Sequence, residues 1–182
     1  MNKRLFSFVA GECGEWSIRS IQTIVGESLP TSKRLTIENG DFSGKCDWAL
    51  RGVTSNERYV TKAEKTALVS KQEGLGRKAS NYAALIPIRK TDAWWSLTQE
   101  ERRDIFEEQS RHTDIGQKFL PNIARKLHHC RDLASVEPFD FITWFEYSSE
   151  DETMFDELVQ SLREGIEWQY VEREIDIRLV KE

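Results

Sequence analysis

Apolar residues gather in short runs along the first fifty positions, and Leu5–Ala10, Trp16–Val25 and Asp47–Val53 each read as a strand. Between the second and third, Ser28–Gly44 carries Pro30, Asn39, Gly40 and Gly44 and reads as loop. Thr61-Lys62-Ala63-Glu64 has capping-box spacing: a threonine can accept from the backbone three residues on while the glutamate reaches back. Ala63, Ala67 and Leu68 give the apolar side of the helix that follows, which is expected to stop at Gly74-Leu75-Gly76. The opening is thus β-β-β-α.

The second half is marked more clearly. Tyr82–Ile88 is an apolar strand, and Thr98-Gln99-Glu100-Glu101 opens a helix through roughly Arg111. Asp114 is positioned to cap another, in which Ile115, Phe119, Ile123 and Leu127 recur every four residues and form one stripe. Pro121 interrupts that stripe and is expected to kink it. A strand Phe139–Tyr147, an acidic helix Glu150–Arg163 and a strand alternating Ile175, Ile177 and Leu179 with Glu174, Asp176 and Arg178 complete the chain. This order predicts an α+β fold, an antiparallel sheet with helices on one face, in two α+β halves meeting near residue 80.

Composition narrows the function more than the fold. Apolar residues are 38% and charged residues 31% of the 182, so the burying power rests on six Trp, nine Phe and four Tyr, which suit a pocket as well as a core. A formal charge of -5 argues against a nucleic-acid partner, which needs basic residues gathered on a face. No apolar stretch approaches a membrane span, and the N-terminal Leu5–Val9 run meets Glu12 and Glu15 too soon for a signal peptide, so a cytoplasmic location is expected. Cys13, Cys46 and Cys130 are odd in number without metal spacing, which fits free thiols in a reducing compartment.

Three histidines are present. His128 and His129 are adjacent, so on a helix they would point about 100° apart and could not share a metal; they read as surface or capping residues near a helix C-terminus. His112 stands alone, with Trp94-Trp95 before it and Arg125 thirteen residues after. A neutral imidazole, a fixed cation and apolar walls are what a haem pocket needs, although a lone histidine is more often structural.

The ordered set Trp94-Trp95, Glu101-Arg102, His112-Thr113, Ile123-Ala124-Arg125-Lys126-Leu127 and Phe141-Ile142-Thr143-Trp144-Phe145-Glu146 resembles the haem-binding half of chlorite dismutases, over most of residues 82–182. The resemblance implies haem b held by His112 as the iron ligand. It makes Glu167, near the end of the last helix, the carboxylate that accepts from that histidine, and Lys90 the support of the carboxylate. It places Trp94 at the haem edge and Arg125 as the distal catalytic residue. Leu127, Thr143 and Phe145 match distal pocket positions; Gln72 resembles a distal glutamine and Tyr59 a propionate contact.

The implied fold is a dimeric α+β barrel of two ferredoxin-like halves with helices outside, a shortened half over 1–80 and a haem-binding half over 81–182. A compact first half resembles the shorter, dimeric lineage and implies a homodimer. The implied reaction splits the anion chlorite into chloride and dioxygen. Coprohaem decarboxylases of the same superfamily, and non-catalytic haem carriers or sensors, are the alternatives; Arg125 and Glu167 weigh against the first.

Overall fold

The computed structural model describes residues 4–54, 61–71 and 73–181. Eight antiparallel strands close into a barrel: β1 (Leu5–Gly11), β2 (Trp16–Val25), β3 (Arg34–Asn39), β4 (Trp48–Thr54), β5 (Tyr82–Lys90), β6 (Ala124–His129), β7 (Phe141–Tyr147) and β8 (Val171–Lys181). Around the barrel the order is β1-β3-β2-β8-β5-β7-β6-β4. Each half is therefore contiguous, β4-β1-β3-β2 and β8-β5-β7-β6, and both have the ferredoxin-like strand order. The halves meet along a long β2–β8 ladder and a short β4–β6 one, where Val53 faces His129 and Thr54 faces His128.

Helix α1 (Lys62–Lys71) follows β4. Between β5 and β6 come α2 (Asp92–Ser96), α3 (Gln99–Arg103), a π-helical turn Asp104–Gln109 and α4 (His112–Lys118), and α5 (Glu152–Arg163) joins β7 to β8. Both predicted capping boxes are present. Thr61 N donates to Glu64 Oε2 at 2.5 Å, and Thr98 Oγ1 accepts from Glu101 N at 3.2 Å while Glu101 reaches back to Thr98 N.

Strand alternation sorts the apolar residues into two clusters. Phe8, Trp16, Leu35, Leu50, Leu85, Ile142, Trp144, Ile175 and Ile177 fill the barrel interior, where the Trp16 and Trp144 rings meet edge to face at 5.2 Å. Ala84, Ile86, Phe145 and Tyr147 point outward from β5 and β7 and pack against Phe155, Leu158, Val159 and Leu162 of α5.

Four expectations change. Arg34–Asn39 pairs with β1 and β2 although its flanks are rich in Pro, Gly and Asn, so the opening is β-β-β-β-α. The predicted helix from Asp114 to Leu127 is two elements: α4 ends at Lys118, residues 119–123 turn, and β6 begins at Ala124. Proline lacks an N–H and pushes the residue before it out of helical geometry, so Pro121 ends this helix instead of kinking it. Glu167 lies beyond α5 in a 3-10 turn, Ile166–Tyr170. On β8 the polar Glu174 and Asp176 are buried under α5, both bound to Arg163, with Asp176 also bound to Arg178.

His128 and His129 move with β6, from an expected helix end to buried positions. His128 faces the barrel interior, edge to face with Phe6 and Phe8 at 5.2 and 5.1 Å. Gly52 on β4 makes room, since a Cβ there would come within 2.7 Å of the His128 Cβ. Burial brings His128 down to about 4 from 6.5. An imidazole kept neutral in the fold stabilises fully above 6.5, and that stability is lost as pH falls from 6.5 towards 4, because the unfolded chain takes up the proton first. Urea unfolding of the haem-free chain should show it less stable by about 2 kcal/mol at about pH 5 than at about pH 7. His128→Leu should remove that dependence; an equal slope in the variant would assign it to other groups.

Candidate active site

Between the outer face of the second-half sheet and the helices lies a cavity of about 650 Å³, within the size range of small-molecule and cofactor sites. The register of the sheet builds one wall. Arg125 sits opposite Phe145, Leu127 opposite Thr143 and His129 opposite Phe141, so alternate residues of β6 and β7 face the same way. Ile86 and Ile88 of β5 extend that face, lying opposite Thr143 and Phe141. Two residues beyond Ile88, at a β-bulge, Lys90 follows into the cavity.

A chain of hydrogen-bonded groups runs from the helical wall to β5. The His112 Nδ1 and Glu167 Oε2 are 2.8 Å apart, and Lys90 Nζ donates to Glu167 Oε1 at 2.6 Å. Glu167 and Lys90 side chains are 7% and 4% exposed, whereas His112 is 23% exposed towards the cavity. Burial alone would raise the Glu167 carboxyl; the Lys90 ammonium and the His112 ring outweigh it and hold it down at about 2. Lys90 Nζ also lies 4.7 Å from the centre of the Trp94 ring, a cation–π distance. Trp94 is itself pinned, since its carbonyl accepts from Arg102 Nε at 3.0 Å and that of Trp95 accepts from Arg102 Nη2 at 2.6 Å.

With Nδ1 held by Glu167, Nε2 is the His112 nitrogen that can bind a metal. Among the described residues no group of three His, Cys, Asp or Glu could hold a bare ion. The mostly apolar cavity walls suit a flat macrocycle such as haem, which would bring its own donors to a metal at this imidazole. Gly116, one turn after His112 on α4, lets the Arg125 side chain approach that helix: the guanidinium lies in the space that a Cβ would fill.

All eight described residues singled out in the sequence line this one cavity: Lys90, Trp94, His112, Arg125, Leu127, Thr143, Phe145 and Glu167. Tyr59 and Gln72 lie outside the described residues. Sequence reasoning missed Phe106, Gly116, Ile86, Ile88 and the pair of half-buried Arg163 and buried Glu174, 2.7 Å apart. Ile86 and Ile88 were accessible in principle: once Thr143 is in the wall, antiparallel pairing brings alternate residues of a neighbouring strand with it. Phe106 carried no signal, because its approach depends on a π-helical turn.

An antiparallel α+β barrel with a pocket beneath its outer helices, built around one carboxylate-bound imidazole, defines the class of protein. The comparisons define the family. The chlorite dismutase family model matches residues 38–181, and the chain belongs to the chlorite dismutase family. It resembles the dimeric chlorite dismutase of Nitrobacter winogradskyi at 53% identity, covering 97% of this chain and 99% of that one, with a TM-score of 0.89. A chlorite dismutase of Candidatus Nitrospira defluvii, solved with imidazole, matches at 27% identity over 81% of this chain and 56% of that one, TM-score 0.60. The curated chlorite dismutase of Ideonella dechloratans is 34% identical over 124 residues, 67% of this chain; the match spans 41% of that protein's length.

Proposed function

We propose that the chain is a haem b-dependent chlorite dismutase that converts chlorite to chloride and dioxygen and works as a homodimer. The observation that carries this reading is the meeting of Arg125 on β6 and the His112, Glu167 and Lys90 chain around one cavity. Its family, and the dimeric relative that covers nearly the whole chain, support it. The division into a shortened half over 1–80 and a haem-binding half over 81–182 belongs to the same reading, as does a cytoplasmic location. Three free cysteines accord with that location, and among the described residues no helix is long and apolar enough to cross a membrane.

Haem, when bound, supplies the redox-active iron at which chlorine–oxygen bonds break and the oxygen–oxygen bond forms. The protein's part is electrostatic and geometric. His112 offers Nε2, and the hydrogen bond from its Nδ1 to Glu167 makes the imidazole a stronger electron donor. Lys90 keeps that carboxylate ionised inside the protein. Reaching in from β6, the Arg125 guanidinium would attract the anion and hold the negative charge that develops as it reacts, being worth more in a water-poor cavity than in solvent. Leu127, Thr143 and Phe145 leave room for a triatomic anion and restrict larger donors.

The test is dioxygen release, followed with an oxygen electrode, after chlorite is added to haem-loaded protein. Fast release is expected. A haem-loaded protein that releases none would favour a carrier or a decarboxylase, and a Soret band that never forms on adding haemin would exclude haem.

Gly116→Ala probes the placement of the guanidinium. Alanine should help α4 by up to about 1 kcal/mol through helix propensity, yet its methyl group needs the space held by Arg125. The expected result is a melting temperature equal to or above wild type with turnover lower by roughly 10- to 100-fold. Unchanged turnover would show that Arg125 works from another position.

A further inference from the structure

One hydrogen bond at Nδ1 restrains the His112 ring but still lets its plane tilt about the line to Glu167, because a histidine χ2 has broad, shallow preferences. A second contact removes that freedom. The Phe106 ring lies against the imidazole with centroids 4.2 Å apart and planes 20° from parallel. Phe106 also lines the cavity, so the two stacked rings share its helical wall.

Backbone geometry specific to this segment makes the stack. Asp104–Gln109 is π-helical, closed at its end by Ser110 N donating to Ile105 O. Such turns occur mostly as single insertions in helices and frequently at functional sites. The chain then reverses at Arg111, a non-glycine residue at φ 52° and ψ 38°, a left-handed conformation that surrounding contacts must enforce. They do so on both sides: the buried Glu107 side chain accepts from Thr113 N at 3.0 Å, and Ser110 Oγ accepts from Glu167 N at 2.9 Å. The result folds His112 back across Phe106, a residue six positions earlier and so beyond the i+4 reach of an ordinary helix. The same Ser110 bond ties this segment to the carboxylate that holds Nδ1.

We propose that Phe106 is a positioning residue that fixes the plane of the His112 imidazole, with Glu167 fixing its direction. The proposal rests on His112 being the iron ligand. The plane of an imidazole bound to iron would decide which metal orbitals overlap its π system, so fixing that plane would give a bound haem one electronic environment rather than a spread. Phe106 acts through His112 and touches no substrate in this scheme.

The experiment is low-temperature electron paramagnetic resonance of ferric, haem-loaded wild type, Phe106→Leu, Phe106→Tyr and His112→Ala, with haem loss to apomyoglobin measured alongside. Leucine keeps apolar bulk and removes the flat face; tyrosine restores the face. The expected result is one well-defined signal in wild type and Phe106→Tyr, a broadened or split signal in Phe106→Leu, and haem loss about 10-fold faster in the leucine variant. If Phe106→Leu keeps the wild-type signal while His112→Ala changes it, the proposal falls and the ligation stands. If His112→Ala also leaves the signal unchanged, His112 is not the ligand and both readings fall. Should Phe106→Leu lose its fold, the same imidazole geometry is read in haem-free protein by the ring-current shifts of the His112 carbon-bound protons, which Phe106→Tyr should preserve and Phe106→Trp should enlarge; unaltered shifts across these variants overturn the stack.

Discussion

Glu167→Ala is expected to be among the most damaging single substitutions in the pocket, destabilising the haem-free chain by about 3–5 kcal/mol. The reason is the cation left behind. Lys90 is buried, and its ammonium is bound to the Glu167 carboxylate at 2.6 Å. Trp94 and Trp168 lie 4.7 and 5.6 Å from Nζ and soften the loss, but a ring quadrupole does not replace a full negative charge. The substitution also empties the site that accepts from His112 Nδ1. Urea unfolding measures the first effect, and the double variant Lys90→Met/Glu167→Ala separates it from the second: removing both charges should recover most of the stability and none of the hold on the imidazole. In haem-loaded protein, losing that hold should weaken metal affinity by roughly 10- to 100-fold and raise the reduction potential of the iron. A potential that does not move would show that Glu167 does not act on the ligand. Additive single-site losses would show that the two charges are not coupled.

How far this pocket was readable from sequence depends on the kind of contact. The capping boxes at Thr61 and Thr98 are local, and both appear where their spacing put them. The error between Asp114 and Leu127 was local too: Ile115, Phe119, Ile123 and Leu127 repeat every four residues, and four is a multiple of the strand period as well as close to a helical turn. Ile115 of α4 and Phe119 just after it do pack on the second cluster, while Leu127 faces the cavity from β6, so one apolar spacing served two structures. For β3, the pairing with β1 over six residues decides the structure, and such long-range pairing leaves no periodic trace in a Gly- and Pro-flanked segment. The alternation of β8 was visible, but not the burial of its polar side, because the compensation comes from Arg163 on another element. The candidate site residues come together at one cavity because the ordered motifs span the strands and helices that close on it. The resemblance named them, and the geometry then supplied what spacing could not: Arg125 and Leu127 share a face because they are two apart on a strand.

Placing Arg125 on a strand also sharpens what its removal should do. Arg125→Ala is expected to lower turnover by roughly 10²- to 10³-fold, the usual loss when a fixed group facing developing negative charge is taken from a water-poor site. It should also speed the enzyme's inactivation in chlorite, because the chlorine oxyanion is no longer held and escapes to oxidise its surroundings. Stability should change little, for the side chain is half-buried and its neighbours Phe145 and Leu127 keep their own packing. An oxygen electrode gives the initial rate and its decay, and a hypochlorite trap added to the assay counts what leaks. Arg125→Lys discriminates between charge and shape: an ammonium keeps the attraction but lacks the planar fork of the guanidinium, so it should retain more of the initial rate than alanine and still leak more than wild type. Equal rates and equal leakage in all three proteins would remove Arg125 from the reaction. A lysine variant equal to wild type in both would reduce its part to charge alone, and the backbone space left open at Gly116 would then have no bearing on catalysis.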